Sequence, residues 1–216
     1  MRGALRRERG DVSGAAADFA EVLARTPRHP LALQGRARLR MDQGDLDGAL
    51  ADFGSLLRCA PANTDALVGR GIARALKGQW RAAVEEFDAA VRFDPKNATA
   101  LADRGLARNR LGETRAAEAD MADAILLAKP GNGWPYTARA GLALLRNDDP
   151  GAARDIEEAL RRSPDGASAL QIRAILRARA GDGAGSAGDA AAARRAMPRV
   201  AERVAALFGE GLVLPR

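Results

Sequence analysis

An arginine recurs at Arg2, Arg36, Arg70, Arg104, Arg139 and Arg173, and a carboxylate stands sixteen residues after each, at Asp18, Asp52, Glu86, Asp120, Asp155 and Asp189. The planar guanidinium fork matches a carboxylate in a bidentate pair, so these columns either bind a charged ligand or satisfy each other. Equal numbers of opposite sign favour mutual ion pairing: Arg36–Asp52, Arg70–Glu86, Arg104–Asp120 and Arg139–Asp155 are the clearest structural pairs. A second arginine column, Arg6, Arg40, Arg74, Arg108 and Arg177, follows four residues on, with heads expected to reach water or the same acids. Little else is reactive. The single histidine, His29, lies next to Pro30 and cannot build a triad, dyad or zinc cluster alone. The single cysteine, Cys59, reads as a buried structural thiol. Glu85-Glu86 and Asp148-Asp149 read as solvated or capping carboxylates rather than an acid–base pair. No phosphate-binding or dinucleotide glycine pattern follows a strand-like run. The expectation is a protein that is not an enzyme and uses no cofactor and no metal.

The elements that carry these columns keep a fixed beat. Pro27, Pro61, Pro95, Pro130, Pro164 and Pro198 are spaced by 34, 34, 35, 34 and 34 residues. A turn residue repeats at Gly10, Gly44, Gly78, Gly112, Asn147 and Gly181, followed by a large residue at Phe19, Phe53, Phe87, Met121 and Ile156, reduced to Ala190 in the last copy. A period of this length marks one supersecondary unit stacked on copies of itself. Within residues 64–95, Leu67, Gly71, Ile72, Ala75 and Leu76 trace a helical period. Glycine lets the chain leave a first helix in a left-handed turn, and proline ends the second. Acidic residues after the glycine, as in Gly10-Asp11 and Gly44-Asp45, suit the next helix N-terminus.

Numbering each copy so that its proline is residue 32 puts an apolar residue at the fourth place (Leu33, Leu67, Leu101, Tyr136, Leu170) and a small one at the eighth (Gly3, Ala37, Gly71, Gly105, Ala140, Ala174). This pattern resembles the tetratricopeptide repeat (TPR) family over roughly residues 2–198, with the tryptophan of the fourth place absent and arginine replacing the aromatic of the eleventh. The resemblance implies an all-α, right-handed α-solenoid, or superhelix, of helix–turn–helix repeats. It implies a single solenoid over 1–208, with units near 1–29, 30–63, 64–97, 98–132, 133–166 and 167–198, a capping helix over 199–208 and a tail over 209–216. It also implies a partner-binding groove lined by first helices. Carried over place by place, that groove gives Gln34, Arg38, Val68, Ile72, Ala102, Leu106, Asn109, Trp134, Thr137 and Leu144, with Trp134 as an aromatic anchor and Asn109 as a peptide-backbone partner. The clamp of chaperone-binding members is absent, since its places read Gln34, Arg38, Gly69, Thr99 and Asp103.

The function implied is a scaffold or adaptor that binds a protein or peptide. Two alternatives stay open: a nucleic-acid-binding helical repeat, raised by the net charge of +6, and an accessory segment of a larger enzyme. Aromatic residues make up only 4% of the chain, few for stacking bases. No run of about 18 apolar residues occurs, so no membrane insertion is expected. The lone cysteine and the absence of an apolar leader after Met1 point to the cytoplasm. Arg2 already occupies the seventh place of its repeat, which points to a segment of a longer chain or an artificial start at Met1. The insertion at 129–134 is the expected kink, and Gly183, Gly185 and Gly188 mark the second helix of the last repeat as the weakest.

Overall fold

The computed structural model describes residues 2–209 and residue 212, and within them the regular elements are thirteen α-helices with no strand. Of the expected tail over 209–216, the rest lies outside the described residues. Twelve helices form six hairpins: α1 (Arg2–Glu8) with α2 (Val12–Arg25), α3 (Pro30–Gln43) with α4 (Leu46–Cys59), α5 (Thr64–Leu76) with α6 (Trp80–Phe93), α7 (Ala98–Arg110) with α8 (Thr114–Leu126), α9 (Trp134–Leu145) with α10 (Asp149–Arg162), and α11 (Ala167–Arg179) with α12 (Gly183–Ala196). The thirteenth, α13, spans Val200–Phe208.

Local chemistry sets the hairpin ends. The turn residue has positive φ in every hairpin, from 60° at Asn147 to 83° at Gly44. Four second helices begin on an aspartate whose side chain accepts a hydrogen bond from a glycine amide three residues on: Asp11 with Gly14, Asp45 with Gly48, Asp148 with Gly151, and Asp182 with Gly185. Two of the three glycines expected to weaken α12, Gly183 and Gly185, therefore lie in its capped first turn, where their cost is offset by the cap. At the other end, Thr26, Ala60, Asp94, Ser163 and Met197 all leave the helix in extended backbone. A following proline disfavours the α region for its predecessor, which stops each helix there.

Packing follows the small–large pattern. Phe53 and Phe87 are wholly buried, and their rings lie where a Cβ on Gly69 or Gly71 would stand, 2.4 Å and 2.5 Å away. The eighth place is small because the facing second helix presses a large side chain against it.

The helices gather into two compact units, residues 1–94 (α1–α6) and 95–216 (α7–α13). In the first, each hairpin packs on the next, and α1, α3 and α5 sit side by side. In the second, α7, α9 and α11 form the equivalent wall. A strict period predicts one undivided stack. The added element in the second unit is α13, which packs on α11 and α12 but also reaches back to α9 and α7. A cap over the last repeat describes only part of that position.

The insertion is well tied. Ser163 Oγ donates to the Gly131 carbonyl at 2.6 Å, the Gly133 amide donates to Ser163 Oγ at 3.2 Å, and Arg162 donates to the Ala128 carbonyl while stacking 4.7 Å over Tyr136. Gly133 has no room for a side chain, because a Cβ would lie 2.4 Å from the Ala159 carbonyl oxygen.

Candidate functional site

The arginine and acid columns meet inside each hairpin. Arg36 clasps Asp52 with Nε and Nη2 at 2.9 Å and 2.7 Å, Arg104 clasps Asp120 at 2.9 Å and 2.6 Å, and Arg139 clasps Asp155 at 2.7 Å and 2.6 Å. Arg70 lies 2.8 Å from Glu86, Arg173 clasps Asp189, and Arg2 reaches Asp18. The second arginine column shares these acids: Arg40 with Asp52 at 2.7 Å, Arg74 with Glu86 at 3.3 Å, Arg108 with Asp120 at 2.9 Å, and Arg6 and Arg177 with Asp18 and Asp189. Arg6, Arg40 and Arg177 also donate to carbonyls in the first turn of the second helix. All six acids are buried. Hydrogen bonds to their acids hold the guanidinium groups of Arg36, Arg139 and Arg173 above the usual arginine range. The ladder is thus an internal tie between the helices of each hairpin. The fifth hairpin alone has a single ladder arginine, because Ala143 occupies the second column, and a cleft of about 440 Å³ opens beside Arg139 and Asp155.

The other reactive side chains go to structure. His29 caps α3, its Nδ1 accepting from the Ala32 amide at 3.3 Å. Asp148 caps α10, and Asp149 pairs with Arg179 at 2.6 Å. Cys59 is exposed, contrary to the buried thiol expected of it, because it sits on the solvent side of the last turn of α4. Among the described residues no three His, Cys, Asp or Glu side chains could hold a metal ion, and no helix is long and apolar enough to cross a membrane.

The expected groove residues fall on two walls. In the first unit, Gln34 and Arg38 line a cleft of about 610 Å³ with Arg7, Val22, Leu31 and Asp65. Its chemistry is mixed. Leu31 is 57% exposed, Gln34 Nε2 donates to Asp65 Oδ2 at 3.2 Å, and Arg38 lies 3.8 Å from the same carboxylate. Val68 is buried and Ile72 half-buried on α5.

In the second unit, Ala102, Leu106, Thr137 and Leu144, expected to line the groove, are all buried. They belong to the wall against which α13 packs. Thr137 Oγ1 donates to the Gly133 carbonyl, and Asn109 is half-buried. Trp134 is no free anchor: its indole N–H donates to Asp103 Oδ1 at 2.8 Å.

Asp103 is the functional candidate that the repeat pattern hides. It is buried, and its Oδ2 accepts no hydrogen bond. Burial pushes its carboxyl up to about 7, against the opposing effects of the Trp134 hydrogen bond and the charge of Arg203 on α13. The sequence signal is a lone acid at the sixth place, where the neighbouring repeats have Gly35, Gly69, Ala138 and Ile172, and its meaning is legible only once α13 is seen to pack on α7. Phe208, also on α13, is 1% exposed, and its ring stands where a Cβ on Gly141 would be, 2.2 Å away.

The family model described as a tetratricopeptide repeat matches this sequence over residues 1–64, 35–98 and 68–133. Comparison with curated proteins found no match. Among solved structures, a tetratricopeptide repeat protein from Parabacteroides merdae ATCC 43184 superposes with a TM-score of 0.74 at 22% identity, over 95% of this chain and 80% of its own. A thermophilic TPR protein from Thermus thermophilus gives 0.69 at 24% identity, over 82% and 94%. YrrB, described as a TPR protein with an unusual peptide-binding site, gives 0.51 at 16% identity, over 87% and 96%. At these identities the likeness is one of fold.

Proposed function

Because the chain belongs to the tetratricopeptide repeat family, we propose that it is a scaffold that holds a polypeptide segment of another protein against its first helices, with no chemistry of its own. The observation that carries this reading is the cleft of about 610 Å³ in the first unit, where Leu31 stands exposed beside Gln34, Arg38 and Asp65. An apolar side chain ringed by hydrogen-bonding groups suits an extended or helical peptide, whose side chains need apolar contact and whose backbone needs polar partners. YrrB's peptide-binding site is a precedent on the same fold.

The positive charge does not gather into a nucleic-acid-binding face. The internal ladder holds eleven arginines against six acids, so five of the six net positive charges lie in ion-paired columns rather than on one face. The test is a photo-crosslinking residue placed in the full chain at Leu31 or Arg38, with Leu126 on α8, 82% exposed, as the control position. Crosslinks to one polypeptide from positions 31 and 38 but not 126 are expected. Equal crosslinking at all three positions, or crosslinks to RNA that vanish steeply with salt, would refute the reading.

A further inference from the structure

The wall made by α7, α9 and α11 already has an occupant. Helix α13 is nine residues long, too short to hold its shape alone in water, and is ordered by what it touches. Val200, Val204, Leu207 and Phe208 are all buried, and Leu212 follows them. These side chains recur along one face, as in an amphipathic helix laid into a groove. Phe208 fills the notch left by Gly141, at the ninth place of its repeat, and Gly209, with φ at 110°, ends the helix beside Arg110. The charge of Arg203 on α13 acts on Asp103.

The fit is good in its apolar part and deficient in its polar part. Asp103 is 5% exposed, yet one of its oxygens is left without a donor. A buried carboxylate oxygen without a hydrogen bond is costly, so a helix that brought a donor to it would bind this wall better than α13 does.

We propose that α13 is a displaceable internal occupant of this wall, and that the external ligand is an amphipathic helix with apolar side chains spaced as in α13 and an arginine that donates to both oxygens of Asp103. This rests on the polypeptide-binding reading and adds, on the second unit, a ligand class and a built-in competitor.

The test uses the full chain and a labelled peptide of residues 199–212. In Arg203→Ala/Phe208→Ala the internal helix is weakened and the wall is intact, so the peptide should bind at least about tenfold more tightly than it does to the native chain. Adding Gly141→Leu to that double variant fills the notch and should abolish the gain. Hydrogen exchange on the native chain gives an answer that does not depend on any variant folding. Amides of α13 should exchange by local opening well before those of α9. Equal protection of α13 and α9, or no gain in peptide affinity in a folded double variant, would make α13 a permanent core helix and overturn the proposal. A native chain that dimerises with rising concentration through exchanged α13 would also overturn it, because the occupant would then be a second copy. If these arms fail while positions 31 and 38 still crosslink a polypeptide, only the internal occupant is lost. If the crosslinks fail as well, the polypeptide-binding reading falls with it.

Discussion

Replacing Asp120 with alanine isolates the ladder's contribution. The carboxylate is 4% exposed and holds two guanidinium groups, Arg104 through two bonds of 2.9 Å and 2.6 Å and Arg108 at 2.9 Å. The side chains of those arginines are themselves only 15% and 21% exposed. Removing the acid takes the nearest carboxylate from two partly buried guanidinium groups, with Glu113 3.8 Å from Arg108 Nε as a more distant and more exposed one. Stranding a buried charge costs about 3–5 kcal/mol. For a chain of this size that corresponds to a fall in Tm of about 6–20 °C. Asp155→Ala is the internal control. It strands only Arg139, whose side chain is 48% exposed and can turn to water, so the loss should be about 1 kcal/mol. The assay is thermal and urea unfolding followed by circular dichroism, with Asp120→Asn included because it keeps shape and removes charge. A Tm for Asp120→Ala within a degree or two of the native value, or equal losses for Asp120→Ala and Asp155→Ala, would refute the claim that paired arginines make these acids structural.

Three further outcomes follow from the same geometry. The Asp103 carboxyl is raised in the folded chain to about 7, so folding favours its protonated form. Stability in the second unit should therefore rise as pH falls from 8 to 5, by at most roughly 1.4 kcal/mol per pH unit, and Asp103→Asn should flatten that slope in urea titrations. Gly71→Ala places a methyl group 2.5 Å from the Phe87 ring and should cost about 1–3 kcal/mol in unfolding free energy, with recovery in Gly71→Ala/Phe87→Leu. Trp134→Phe keeps the apolar body but removes the donor to Asp103, so it should weaken the second unit by about 1–3 kcal/mol, and urea unfolding will report it.

The hairpins were legible because their signals are local. A glycine that must adopt positive φ, a proline that forces its predecessor extended and an aspartate that caps a helix each act within a few residues. The Arg36–Asp52 partnership was legible because repetition displays it six times with both signs matched. Asp103, Arg203 and the Phe208–Gly141 contact occur once each, so periodicity carries no trace of them. Their meaning depends on where α13 docks, which is a choice among several exposed faces decided by tertiary fit. Leu106 and Leu144 read as groove surface from their places in the repeat yet are buried in the folded chain, as are Val68 and Ala75 in the first unit, because packing between neighbouring helices rather than place in the repeat decides exposure. Cys59 shows the complementary failure: residue type favours burial, but one position in a last helical turn decides exposure.

Hydrogen exchange of the full chain with and without the polypeptide crosslinked at Leu31 tests the central claim most directly. Added protection on α1, α3 and α5 and on the turn of α2 around Val22, with α4 and α6 unchanged, is the predicted result. Protection confined to the second helices, or none on any helix at saturating partner, would contradict it.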